Sequence, residues 1–176
     1  MELVLPSAEY KDSFIAAVKE FKTDAEFPLQ KGWYHELSIE ELEAKFDSFV
    51  AGQLAHARGK SLPEGYVPQT NYWLVDNGEF IGGVRIRHRL TEHLEQIGGH
   101  IGYVIRPSKR RQGYGKKILE LALQKAKELG VERVRITCDA DNEPSRKIIE
   151  GNGGVFDSSI PNFDTSVDKL RYWIDV

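Results

Sequence analysis

The residues best suited to chemistry lie in one run, Tyr103-Val104-Ile105-Arg106-Pro107-Ser108-Lys109-Arg110-Arg111-Gln112-Gly113-Tyr114-Gly115-Lys116-Lys117. An apolar, strand-like stretch halts at Pro107, a short loop follows, and a helical pattern opens on glycine. The first N–H groups of a helix have no intrahelical acceptor, and with the helix dipole they form an anion site. Gly113 and Gly115 would let a ligand approach the backbone closely, because no Cβ intrudes. Arg110, Arg111, Lys116 and Lys117 add positive charge around the spot. A pyrophosphate fits such a nest, held by amides more than by side chains. Two common phosphate motifs fail here. A Walker A loop would need glycine at Arg110 and Ser or Thr at Lys117, and a dinucleotide fingerprint would need glycine at Ile118. What remains is R-x-x-G-x-G between a strand and a helix.

The elements that must position this loop are legible from periodicity. Leu3-Val4-Leu5 reads as a first strand. Ser7 caps a helix whose apolar positions are Tyr10, Phe14, Ala17, Val18 and Phe21. Thr23–Leu37 is irregular. Ser38 and Glu41 form a capping box, with Leu37 stapled to Leu42, ahead of the stripe Leu42, Phe46, Phe49, Val50 and Leu54. Residues 57–69, with Gly59, Pro63, Gly65 and Pro68, read as a loop. Thr70–Val75 and Phe80–Arg89 flank Asn77-Gly78, a hairpin signal. Gly98–Arg106 is a third strand, and Gly113–Leu129 is a helix stopped by Gly130. Val134–Cys138 is a strand, Asn142 or Glu143 caps a short helix, and Val155-Phe156 and Lys169–Val176 are the last strands. The order predicts a mixed α/β fold in one domain over residues 1–176.

Arg110-Arg111-Gln112-Gly113-Tyr114-Gly115 resembles the acetyl-CoA pyrophosphate loop of the GNAT N-acetyltransferase superfamily. Asp141-Asn142-Glu143-Pro144-Ser145 and then Gly153-Gly154 resemble the family's next motif. The resemblance is strongest over residues 70–156. It implies a central mixed sheet flanked by helices, with two neighbouring parallel strands, Gly98–Arg106 and Val134–Cys138, splayed apart. The pantetheine arm of acetyl-CoA would lie in the gap, paired with the backbone of Tyr103, Val104 and Ile105 like an added strand. The amides of Arg110, Arg111, Gln112, Gly113, Tyr114, Gly115 and Lys116 would hold the pyrophosphate, and Asn142 would bond the arm from the other side. Asn142 is equally readable as a helix cap alone. The implied reaction is direct transfer of an acetyl group to a primary amine, on a small molecule or a peptide, with backbone N–H near Val104 polarising the thioester oxygen.

The family's usual acid, a Tyr seven residues after the Asn, is here Ile149. Tyr103, Tyr172, Tyr66 or water are left to protonate the departing thiolate. Its absence keeps a second reading open, a non-catalytic CoA-binding or regulatory module on the same scaffold. An alkylammonium must lose a proton before it can attack. The family often uses Glu or His near the start of the splayed strand, so His100 and Glu95 are the candidate bases, with Glu92 behind them. Arg85, Arg87 and Arg89 alternate along a strand. They read as a solvated face or as a means of orienting an acidic acceptor.

Composition excludes several classes. Apolar residues make 40% and charged residues 29% of 176, with a net charge of −3. That is a globular balance without a basic field for nucleic acid. No apolar run reaches the ~18 residues of a membrane span, and the first residues do not resemble a signal peptide. His88 and His93 lack metal-ligand spacing, so no metal is expected. A single cysteine, Cys138, forbids an intrachain disulfide and points to a cytoplasmic setting. By analogy with such folds, a homodimer would form through the last strands.

Overall fold

The computed structural model describes residues 1–25, 33–60, 62, 65–162 and 166–176. Part of the predicted irregular segment, residues 26–32, lies outside the described residues, as do Pro63 and its neighbours 61 and 64 in the predicted loop. The elements are β1 (Glu2–Val4), α1 (Lys11–Thr23), α2 (Ile39–Ala55), β2 (Gln69–Asp76), β3 (Glu79–Arg87), α3 (Glu92–Gln96), β4 (Ile101–Ile105), α4 (Tyr114–Glu128), β5 (Arg133–Asp139), α5 (Glu143–Glu150), β6 (Val155–Ile160) and β7 (Lys169–Asp175). Local chemistry accounts for most boundaries. Ser7 caps a single 3-10 turn leading into α1, Ser38 caps α2 by accepting from Glu41 N–H at 3.2 Å, and Asn77 and Gly78 both take positive φ at the hairpin turn. The short α3 has no counterpart in the sequence reading; Thr91 caps it by accepting from the Leu94 amide.

The strands form two antiparallel sheets, β1-β2-β3-β4 and β5-β7-β6, in a mixed α/β fold. Where one central mixed sheet was expected, β4 and β5 share no ladder among the described residues. The chain just before β4 is tied to β5 instead, where Gly98 N–H donates to Thr137 Oγ1 at 3.1 Å and His100 meets Arg135. His100 N–H donates to the Arg135 carbonyl at 2.7 Å, and Arg135 N–H donates to His100 Nδ1 at 2.9 Å. Gly99 makes this crossing possible. It sits at φ +66, and a Cβ there would lie 2.5 Å from the Arg135 carbonyl oxygen.

Two cores hold the sheets in place. Under α1 and α2 an aromatic cluster packs on β2 and β3, with Phe14 stacked on Trp73 at a 4.6 Å centroid distance. Under α4 an aliphatic core spans both sheets, joining Val84 and Ile86 of β3 to Ile118 and Leu119 of α4 and to Val134 and Ile136 of β5. The second core bridges strands that share no ladder, so apolar packing, rather than backbone pairing, keeps β4 and β5 side by side.

Candidate active site

Beyond the His100 crossing, β4 and β5 part and leave a cleft of about 590 Å³. Gly102, Tyr103 and Val104 line one wall, and Ile136 to Asp139 line the other. Asn142, Ser145 and Ile149 of α5 close one end. Trp33, Tyr66, Arg85, Arg87 and His93 gather at the other.

Backbone direction decides which groups of β4 can serve a ligand. Arg106 N–H donates to Ile81 C=O at 2.9 Å, and Arg87 N–H donates to His100 C=O at 2.8 Å. These bonds put the even-numbered residues of β4 in the hydrogen-bonded pairs of its ladder with β3, whose register runs unbroken from Gly82↔Ile105 to Ile86↔Ile101. By alternation, Tyr103 and Ile105 turn N–H toward the gap, while Val104 spends its own on β3. Of the three residues expected to pair with an arm, the ladder therefore leaves the N–H groups of Tyr103 and Ile105 facing the gap, and these lie in the Val104 region expected to polarise a carbonyl. The Ile105 carbonyl already accepts from Arg110 Nε at 3.3 Å.

The loop before α4 is exposed from Arg111 to Gly113. Gly113 is the N-cap at φ 85, and a Cβ placed there meets nothing within 4 Å. Among the described residues the amides of Gly113, Tyr114, Gly115 and Lys116 have no backbone acceptor; the first helical bond is Lys117 N–H to Gly113 C=O. The predicted side chains of the loop do other work. Arg110 turns back to pair with Asp24 at 2.6 Å, Gln112 braces the Ser108 carbonyl, and Tyr114 donates to Asp76 at 3.0 Å. Arg111 holds φ 59, and Lys116 carries no ion pair among the described residues. Gly115 also serves packing, since a Cβ there would strike Ile148 Cδ1 at 2.5 Å. It lets α4 and α5 lie close, which sets the α5 end of the cleft beside the loop.

Asn142 accepts from Ser145 N–H at 3.0 Å, so it caps α5 and lines the cleft at once. Ser145, on the next turn of the same face, exchanges a hydrogen bond with the Tyr103 hydroxyl at 3.1 Å. Sequence reasoning gave Ser145 no role, although its position three residues after Asn142 on a helix was the available signal. Burial raises the Tyr103 phenol well above its ordinary range. Ile149, at the family's Tyr position, is 1% exposed and walls the cleft with an alkyl group. Tyr172 is buried outside the cleft and donates to Glu150.

The two predicted bases lie away from this cleft. His100 spends Nδ1 on the Arg135 amide. Burial, with Arg87 and Arg135 nearby, pushes its pKa down to about 4. Glu95 and Glu92 sit exposed on α3, outside the lining. His93, on the same short helix, does line the cleft. No spacing signal could have singled it out, because α3 itself went unread. Asp139 also reaches the cleft but is paired with Lys169. Cys138 lines the wall, and burial pushes its thiol up to about 11, so it is no nucleophile at neutral pH. No three His, Cys, Asp or Glu among the described residues group as a metal site, and no described helix is long and apolar enough to cross a membrane.

A strand pair parted near a glycine-opened helix start is the arrangement that the resemblance implied, and the comparisons bear on the family. A family model described as an acetyltransferase (GNAT) domain matches residues 3–155, so this chain belongs to the GNAT acetyltransferase family. No curated protein matches the sequence. Among solved structures, RimJ of Mycobacterium smegmatis in complex with CoA-disulfide is 17% identical with a TM-score of 0.72, covering 99% of this chain and 81% of that one. The microcin C7 self-immunity acetyltransferase MccE, in complex with acetyl-CoA and AMP, is 15% identical with a TM-score of 0.71, covering 99% and 91%. The Salmonella typhimurium acetyltransferase that modifies the N-terminal serine of ribosomal protein L7/L12 is 20% identical with a TM-score of 0.67, covering 99% and 94%. At these identities the likeness is one of fold.

Proposed function

We propose that the protein transfers an acetyl group directly from acetyl-CoA to a primary amine, on a small molecule or a peptide. The observation that carries this reading is the cleft between β4 and β5, lined by α5, whose Ile148 packs on Gly115 in the first turn of α4, where four amides have no backbone acceptor among the described residues. The fit to acetyl-CoA rests on those residues: an open nest at Gly113 for linked phosphates, gap-facing N–H groups of Tyr103 and Ile105 for the arm, and Asn142 opposite them. When bound, acetyl-CoA supplies a thioester whose carbonyl carbon takes the amine nitrogen; the C–N bond forms as the C–S bond breaks.

The chain's own groups then have two proton tasks. The attacking amine must shed a proton, and His93 is the imidazole that lines the cleft; it replaces His100 and Glu95 in that role. The sulfur must gain one, and the Ser145 hydroxyl, backed by Tyr103, is the hydroxyl pair facing the gap. Ser145 donates a hydrogen bond to the departing thiolate, and the proton that the amine sheds onto His93 is the one the thiolate takes up, so neither hydroxyl need ionise. Buried Ile149 excludes water at the usual acid position. A cytoplasmic setting agrees with a lone buried thiol. The edge strand β6, exposing Val155 and Phe156, supports a homodimer through the last strands.

The test is release of CoA thiol from acetyl-CoA across a panel of amines and N-terminal peptides. Amine-dependent release is expected, with His93→Gln lowering kcat about 100-fold while the KM for acetyl-CoA stays within about threefold. CoA binding without release on any amine would instead favour the non-catalytic module.

A further inference from the structure

Two arginines of β3 line the cleft together. Arg85 and Arg87 project from one face of β3, while Val84 and Ile86 between and beside them turn into the core. The Arg85 guanidinium stacks on Trp33 at 3.6 Å from the ring centroid. Its register partner is Gly102, where a Cβ would touch Trp33 at 3.5 Å and the Arg85 stem at 3.9 Å. Arg87 reaches across the same floor and donates through Nη1 to the carbonyls of Gly98 at 3.2 Å and Gly99 at 2.7 Å.

Countercharge reaches the two arginines unequally. Glu36 and Tyr66 face Arg85. No carboxylate pairs with Arg87 among the described residues, and its nearest charged neighbour is Arg85 itself. Burial and that neighbour bring Arg87 down to about 10. Across the cleft, Asp139 is already spent on Lys169. A guanidinium held from water by neutral carbonyls alone gains strongly from an oxyanion, which its planar fork accepts on two nitrogens.

We propose that the acceptor is an amine that carries its own oxyanion, a carboxylate or a phosphate, seated on Arg87 and Arg85 so that the amine faces His93 and Ser145. The proposal rests on the acyl-transfer reading for the word acceptor, but the anion site stands on its own geometry.

The test uses the full chain, with and without saturating CoA, so that the α4 nest is filled in one arm. Glutarate, methyl phosphate and the uncharged control glutaramide are titrated while Trp fluorescence and the thermal midpoint are read; Trp33 is the tryptophan lining this cleft. At least one anion is expected to bind saturably with CoA present, at least about tenfold tighter than glutaramide, and the stronger of the two names the oxyanion. Arg87→Gln should weaken that binding by about tenfold or more. Arg85→Gln, which leaves the contacts to Gly98 and Gly99 intact, should do likewise if Arg87→Gln fails to fold. Equal binding of glutaramide, no saturable anion binding, or an anion response untouched by both substitutions overturns the proposal. Failure to bind CoA beside an arginine-dependent anion response would instead remove the acyl-transfer reading and leave the anion site.

Discussion

Two histidines seven residues apart, His93 and His100, illustrate how little a residue type says without its partners. His93 lies at the cleft, whereas His100 is consumed as the joint between two strands. Its depressed pKa has a defined sign. The unfolded ring binds a proton near pH 6.5 and the folded ring only near pH 4, so the unfolded state holds more protons in that window. Stability is therefore full above about 6.5 and declines as pH falls toward 4. Solvent screening of a half-buried ring keeps the loss to about 1 kcal/mol, or roughly 2–4 °C in Tm. His100→Asn, which keeps an acceptor without a titrating ring, should flatten that part of the Tm–pH curve; an unchanged slope would remove the role. At the residue scale the sequence named Tyr103 and Asn142, which line the cleft, but could not show that His100 bonds Arg135, because that partner lies 35 residues away.

At the scale of elements, glycines decide how closely strands and helices approach. Gly99 and Gly113 both hold positive φ, yet a side chain at Gly99 meets backbone and one at Gly113 meets open space. Gly99→Ala should cost about 2–4 kcal/mol, because it adds a clash with the Arg135 carbonyl to the backbone strain. Gly113→Ala should cost only the strain, about 1 kcal/mol. Denaturant midpoints for the two variants check the difference, and equal losses would mean that β4 and β5 do not depend on this contact. The helices, the Asn77-Gly78 hairpin and the loop before α4 were legible because caps, turns and apolar spacing are local signals. The short α3 was not, because five residues carry too little periodicity to read.

For the whole molecule, the parted sheets mean that a ligand lying between them contacts both. Binding to the folded state alone adds stability by mass action, about 2.7 kcal/mol when ligand stands at about 100 times Kd. Acetyl-CoA at that excess should therefore raise Tm by roughly 5–10 °C. Gly113→Glu places a carboxylate in the anion nest and should abolish the rise while leaving the unliganded Tm within a few degrees of wild type. A Gly113→Glu protein that keeps the full rise would place the phosphates elsewhere.

The sequence by itself determined the order of the elements other than α3, the glycine-opened loop and the family, because each is written in residues close together along the chain. Only the tertiary structure decided which amides of β4 face the gap, that Arg110 and Gln112 brace the loop, and that Arg85, Arg87 and His93 converge on one cleft. Those outcomes depend on ladder register and on contacts between distant segments, and neither is encoded in local spacing.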